Sequence, residues 1–319
     1  MKKERSARMW KRYNDMKKTY HLCLSAGEEV LFRDLEDYHR GFNYFAIALN
    51  KTGSTGLVES FMSTHSHKLV QTEDPAEFMH CLRLPYSMYF NKKYHRRGKL
   101  GEHTHFTMEV VGHHHILAAA SYILRNALHH GIAPIPYAYP HCSANAIFMK
   151  EMGKSPCADL LHPRYYRRFI GKTAEFPDRY KMSKSGVFLR ETVLDIPQME
   201  HLFVTPRAYN WYMTRKSSEE WEKEQEQDKT ASSPINLSAI ENGVRTERIE
   251  QMLVYESGKA NYRKPSDIDI CTEIDRNILP RFGKASVYLL TRQEKQEIAR
   301  HLYKNYHLGE NQIRRCLAM

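Results

Sequence analysis

The spacing of apolar and polar positions divides the chain into short strands and longer helices. A strand is expected near Tyr20-His21-Leu22, and helical periodicity covers Leu35 to Asn50 and again Pro75 to Lys93. Between these helices Phe61 to Val70 reads as one extended segment, and Ala118-Ala-Ala-Ser-Tyr122-Ile-Leu-Arg-Asn126 reads as a further helix. Strands alternating with helices in this order suit an antiparallel sheet with helices on one face, an α+β fold. Farther along, Thr291-Arg-Gln-Glu294 matches a capping box opening a helix, with Ile298, Leu302 and Tyr306 one turn apart on its apolar face. Gly309 separates it from a short helix over Asn311 to Leu317. Lys216 to Ile235, charged and then turn-rich, reads as a helix end and connector.

Chemistry enters with His65-Ser66-His67. Alternate residues of a strand share a face, so these two imidazoles would lie side by side with α-carbons roughly 6 to 7 Å apart, close enough to share one cation. Two neutral nitrogens leave a metal site incomplete, and a third donor must come from elsewhere. Tyr122 and Asn126 are four apart, one turn apart on a single helix face. Such a helix, packed on the strand, would offer a carboxamide to the metal and a phenol to a bound phosphate. Taken alone, a His-x-His among eighteen histidines is weak evidence, and a tyrosine in an alanine-rich helix is usually core. Their order and spacing together are more specific.

Those residues, with Val30-Leu-Phe-Arg-Asp-Leu-Glu-Asp37, Met62-Ser-Thr-His65-Ser-His67-Lys-Leu-Val70, Asp74-Pro-Ala-Glu-Phe-Met79, Tyr89-Phe-Asn-Lys-Lys-Tyr94 and Arg96-Arg-Gly-Lys-Leu100, carry a resemblance over roughly the first 150 residues. The chain resembles the single-tyrosine transposases of the HUH nuclease superfamily, in particular the REP-associated tyrosine transposases of bacteria. The resemblance implies a ferredoxin-like HUH palm, and a homodimer in which the tyrosine helix and the histidine strand can come from different protomers. It further implies Tyr122 as the nucleophile that attacks single-stranded or hairpin DNA to form a 5′-phosphotyrosine. A divalent ion, Mg2+ or Mn2+, would sit on His65, His67 and Asn126. The tail beginning at Gln312-Ile-Arg-Arg315 looks like the start of a helix-turn-helix cut short before its recognition helix, with a plain helical bundle as the alternative.

The chain departs from the family at several places. Ser66 stands where a bulky apolar residue is usual, and Ala127-Leu128-His129-His130-Gly131 follows Asn126 where the family continues with proline, valine and arginine. His103-Thr104-His105-Phe106 replaces a basic, aromatic Gly-Arg-Tyr-Lys type of stretch, and this second His-x-His reads as a polar strand face. His113-His114-His115 reads as a solvated helix start.

Composition adds a partner class. With 48 Lys and Arg against 37 Asp and Glu, the chain carries a formal charge of +11, which favours polyanions through counterion release. The basic stretch Met1 to Lys18, with Trp10 and Tyr13, and the stretch Arg164-Tyr165-Tyr-Arg167-Arg168 interleave cations with aromatic rings, as single-strand binders do. Arg96 and Arg97 join them as candidate DNA contacts. Six scattered cysteines without a Cys-x-x-Cys pair argue against a zinc ribbon or disulfide framework, and no apolar run approaches membrane-helix length. A cytoplasmic protein is expected, with a catalytic domain over 1–150, an accessory region over 151–235 and a helical region over 236–319. A non-cleaving, host-adopted protein that binds repeat hairpins is the second reading. A replication initiator is a more distant one.

Overall fold

The computed structural model describes residues 17–27, 29–102, 104–214, 255–256, 259–260 and 265–319. Most of the basic N-terminal stretch, His103 and the charged connector of 216–235 lie outside the described residues. The first part runs β1 (Lys18–Ser25), α1 (Leu35–Lys51), β2 (Thr55–Phe61), β3 (His65–Thr72), α2 (Pro75–Lys93) and β4 (Phe106–Glu109). The strands form one sheet in the order β2-β3-β1-β4, and every neighbouring pair is antiparallel. This is the split βαβ arrangement of ferredoxin-like folds, as the α+β reading expected.

Local chemistry sets these boundaries. Asp34 caps α1 by accepting from the Asp37 amide, and the Asp37 carboxylate reaches back to the cap. Asp74 caps α2 by accepting from the amides of Ala76 and Glu77, and Pro75 occupies the first turn, where no amide hydrogen is needed. The extended segment expected over Phe61 to Val70 is instead a hairpin. Phe61 ends β2, the Met62 amide donates to the His65 carbonyl at 2.7 Å, and β3 opens at His65. The turn Met62-Ser63-Thr64 contains neither glycine nor proline, so it left no mark in the pattern.

The pleat gives each face of the sheet its own role. Ser66, Lys68 and Val70 face α1 and α2, packed with Phe61, Phe45 and Phe78, while His65, His67 and Leu69 face the other way. The pattern accounted for helices on the first face only. On the second face lies α3 (His113–His129), which contacts β2 and β3.

Beyond α3 the chain returns to the sheet. Cys142 bridges Ser60 on the outer edge of β2, and the Phe61 amide donates to the His141 carbonyl at 2.8 Å. The short helices α4 (Arg167–Ile170), α5 (Arg190–Val193), α6 (Ile196–Phe203) and α7 (Pro206–Thr214) follow. Tyr166, Phe188, Met199, Phe203 and Tyr209 belong to the same buried core as Leu22, Phe45 and Ile123. The division expected near residue 150 therefore runs through one continuous core.

The last part holds α8 (Asp267–Glu273), α9 (Arg292–Tyr306) and α10 (Glu310–Leu317) around a second core. Thr291 and Glu294 form the expected capping box, and Ile298 and Leu302 are buried. This bundle is fastened to the palm by one buried cation, Arg33, while a second buried cation, Arg315, ties the bundle together. Arg33 forms a two-pronged pair with Asp275 at 3.1 and 2.8 Å and donates to the Cys316 carbonyl, and Arg315 pairs with Asp267 at 2.7 and 2.8 Å. Asp267 also accepts from Ser63, two residues before His65, at 2.8 Å. Gln312 donates to Pro265 and Asp267, so both Gln312 and Arg315 of the expected helix-turn-helix tail are turned into the protein. Among the described residues no helix is long and apolar enough to cross a membrane.

Candidate active site

β3 places His65 and His67 on one face, and both side chains are fully buried. α3 lies across them. Tyr122 and Asn126, one turn apart, point down onto the strand, with the Tyr122 ring centroid 5.5 Å from that of His67 and Asn126 Oδ1 3.0 Å from His65 Nε2. Helix and strand belong to the same chain. An amide oxygen can only accept, so His65 Nε2 carries the proton, and its Nδ1 accepts from Thr64 Oγ1 at 3.1 Å.

Two histidines that sequence reasoning missed complete the cluster. His21, on the central strand β1, stacks on His67 with ring centroids 5.1 Å apart and shares a hydrogen bond with His67 Nδ1 at 2.9 Å. In the tautomer with the proton on His67 Nδ1, the lone pair lies on His67 Nε2, which has no hydrogen-bond partner among the described residues. His130 follows Asn126 by one turn and is 2% exposed, with its ring 5.4 Å from that of His65. Neither of its nitrogens has a hydrogen-bond partner among the described residues. Sequence signals existed for both. His21 sits among Leu22, Cys23 and Leu24 on an inner strand, and His130 extends the every-fourth-residue row Tyr122, Asn126, His130.

Burial keeps this cluster uncharged. It pushes the imidazole of His65 down to about 4 and that of His21 to about 3, and it holds His67 and His130 well below the ordinary histidine range. Neutral imidazoles are what a metal needs. In the unfolded chain the same groups take up protons near pH 6.5, so between that pH and about 4 the unfolded state binds more protons and stability falls with falling pH. We expect the melting temperature to drop steadily from pH 7 to pH 5, with a slope of about 1.4 kcal/mol per pH unit for each buried imidazole that ionises on unfolding. Calorimetric melts of wild type and His21→Phe across that range check this, the variant showing the shallower decline.

The donor chemistry fits a borderline divalent ion: buried, neutral imidazoles with unpaired nitrogens grouped around one strand. Among the described residues, however, no three His, Cys, Asp or Glu side chains already converge their donors on one point. The rings of His65 and His67 lie with centroids 5.0 Å apart.

No family model and no curated protein matches this chain. One solved structure does. It is a REP-associated tyrosine transposase bound to a REP hairpin, 10% identical, aligned over 44% of this chain and 82% of that chain with a TM-score of 0.35. The functional reading rests on the site's own geometry.

The candidate DNA contacts are not gathered at this site. Arg96 is held by Glu29 at 2.6 Å, by the Lys99 carbonyl and by the ring of Tyr288, which makes it a structural residue. Arg97 is exposed and lines a groove of about 1000 Å³ between palm and C-terminal bundle, with His95, Tyr288 and Met319. Arg164 and Arg168 stack on the Tyr165 ring at 4.5 and 4.7 Å, while Arg167 turns to the Lys172 carbonyl. That patch adjoins α1, since Arg40 donates to the carbonyls of Arg168 and Phe169, and so it lies across the sheet from Tyr122. Of the triple histidine, His113 is exposed as expected, but His115 is buried against the core side of α3.

Proposed function

We propose that this protein is a metal-dependent DNA strand transferase of the single-tyrosine HUH type, with Tyr122 as nucleophile. One observation carries the reading. A tyrosine and a carboxamide one helical turn apart lie directly over a His-x-His pair on an inner strand of a ferredoxin-like sheet. A fold held together by apolar packing alone has no use for four buried histidines there, because each polar atom left unpaired costs about 1 to 3 kcal/mol.

In this reading the Tyr122 phenolic oxygen attacks a backbone phosphorus and loses its proton, and the bond to the 3′ oxygen breaks. The products are a 5′-phosphotyrosyl protein and a free 3′-hydroxyl, which can reverse the step on another strand without nucleotide hydrolysis. A divalent cation held by His65, His67 and a third donor, Mg2+ or Mn2+ in the simplest case, supplies Lewis-acid stabilisation of the crowded phosphoryl group. His21 orients His67 through the shared hydrogen bond, the role that outer partners of metal-binding imidazoles play. The preferred substrate is single-stranded or hairpin DNA, and Arg97 and the Arg164, Tyr165 and Arg168 patch would hold its backbone away from Tyr122. A homodimer fits the superfamily resemblance.

Because His65 and His67 are fully buried and Tyr122 is 5% exposed, a DNA strand reaches the site only if α3 lifts from the sheet. Glycines in the left-handed region stand at both ends of that helix, Gly112 at φ 97° and Gly131 at φ 62°. The same seal favours a second reading, a protein that binds repeat hairpins without cutting them.

The test is a denaturing gel with end-labelled hairpin and single-stranded oligonucleotides plus Mg2+ or Mn2+. Wild type should give a covalent band, and the double variant His65→Ala, His67→Ala should give none while keeping its circular dichroism. Tight binding with no band for wild type on any substrate or ion would leave the non-cutting reading in place.

A further inference from the structure

We propose that a cavity of about 520 Å³ beside α2 is a binding site for a phosphomonoester, its phosphate seated on Arg83 and an apolar part of the ester lying against Leu84 and Met88. His80, Leu84 and Met88 stand four apart along α2, with Arg83 three on from His80, so all four share one stripe of the helix. Lys99 and His105, from the segment before β4, close the cavity. His105 belongs to the second His-x-His of the sequence. Phe106 beside it turns its ring to His21, and His105 turns the other way, toward α2. The cavity thus lies on the sheet face away from Tyr122, and it stands independently of the strand-transfer reading.

Arg83 carries a half-buried guanidinium that donates to the Glu102 carbonyl and, among the described residues, pairs with no carboxylate. Burial lowers its pKa, and no acidic neighbour raises it again. No Asp or Glu lines the cavity among the described residues. The His105 imidazole is lowered first by burial and then by the charges of Arg83, Lys68 and Lys99, which places three cations around one small volume. Lys68, fully buried, shares an inner cleft with Arg83 and donates to the Ser66 carbonyl. A desolvated cation without a counter-charge is costly, and an anion in the cavity removes that cost. A phosphomonoester brings about −1.5 to −2 charge at pH 7 and three terminal oxygens for the forked donors of arginine. An internal phosphodiester brings a single charge and two free oxygens, a poorer match. Leu84 and Met88, 50% and 64% exposed, add open apolar surface beside the cations, as a ligand with an apolar group requires.

The experiment is calorimetric titration of the purified full chain, in the presence of a metal chelator, with phenyl phosphate, inorganic phosphate and the diester methyl phenyl phosphate. Wild type is compared with Arg83→Gln, with the double variant Leu84→Ser, Met88→Ser at exposed positions, and with Arg97→Gln as a control for general charge. All are checked for folding by circular dichroism. Wild type should bind phenyl phosphate about tenfold or more tightly than the diester. Arg83→Gln should weaken that binding by roughly 10- to 100-fold, the effect of losing a charged hydrogen-bond donor, and Arg97→Gln should leave it unchanged. The double variant should weaken phenyl phosphate and spare inorganic phosphate. A thymidine dinucleotide with a 5′-phosphate, set against the same dinucleotide without one, distinguishes the two sources of such a group. Binding of the phosphorylated form upholds the site with a nucleic-acid end as its occupant, and its exclusion alongside bound phenyl phosphate upholds it with a small molecule. Equal affinity for the diester, an unchanged affinity in folded Arg83→Gln, or a folded wild type that binds none of these probes overturns the proposal.

Discussion

Replacing Tyr122 by phenylalanine should abolish the covalent protein–DNA adduct while leaving DNA affinity within about twofold. The ring is 5% exposed and packs edge-on against His67 and His21, at 5.5 and 6.3 Å, so phenylalanine preserves its packing and removes only the attacking oxygen. Stability should change by no more than about 1 kcal/mol, the ordinary effect of a shape-conserving change. No adduct should form at this position, because phenylalanine has no oxygen to bond phosphorus. Denaturing gels measure the first effect and salt-controlled binding titrations the second. An adduct of undiminished yield would move the nucleophile to another residue.

The second large effect lies far along the chain from the tyrosine. Asp267→Ala should destabilise the protein by roughly 3 to 5 kcal/mol, since it strands the buried Arg315 guanidinium without a counter-charge. Asp267 is 1% exposed and accepts from Arg315, Gln312 and Ser63, so one carboxylate ties α10, α8 and the turn before β3 together. The loss is a large part of a typical stability of about 5 to 15 kcal/mol. Because Ser63 precedes His65 by two residues, the same change should also loosen the packing of His65 and His67. The double variant Asp267→Leu, Arg315→Met should regain most of the stability, because paired apolar side chains replace a buried ion pair at little net cost. Urea unfolding of the single and double variants checks both statements. A single variant within 1 kcal/mol of wild type would mean that the bundle is held by its apolar core instead.

The sequence made the palm readable because its signals are local. Asp34 and Asp74 announce α1 and α2, and the alternation through His65, His67 and Leu69 shows one face of β3. What it hid depends on contacts distant in sequence. The hairpin at Met62-Ser63-Thr64 is fixed by partners elsewhere, its Ser63 carbonyl accepting from the amides of Leu31 and Phe32 and its hydroxyl bonding Asp267. Residues after 150 join the palm core through side chains such as Tyr166 and Tyr209, whose burial no local pattern reveals. In the candidate site, Tyr122, Asn126, His65 and His67 were legible from spacing. His21 was not, because it meets His67 only through the pairing of β1 with β3. His130 was visible as a departure from the resembling family, but its burial beside His65 needed the packed helix. The basic positions were the least reliable guide, since charge alone does not tell that Arg96 pairs with Glu29 or that Arg315 is buried on Asp267.

The most direct test of the central claim is peptide mapping by mass spectrometry. Wild-type protein is incubated with a cleavable hairpin or single strand and a divalent ion, trapped in denaturant and digested with nuclease and protease. A nucleotide-5′-phosphate mass on the peptide containing Tyr122, absent without added ion, is the result this account predicts. The same mass on a different residue, or cleavage with no covalent intermediate, would contradict it.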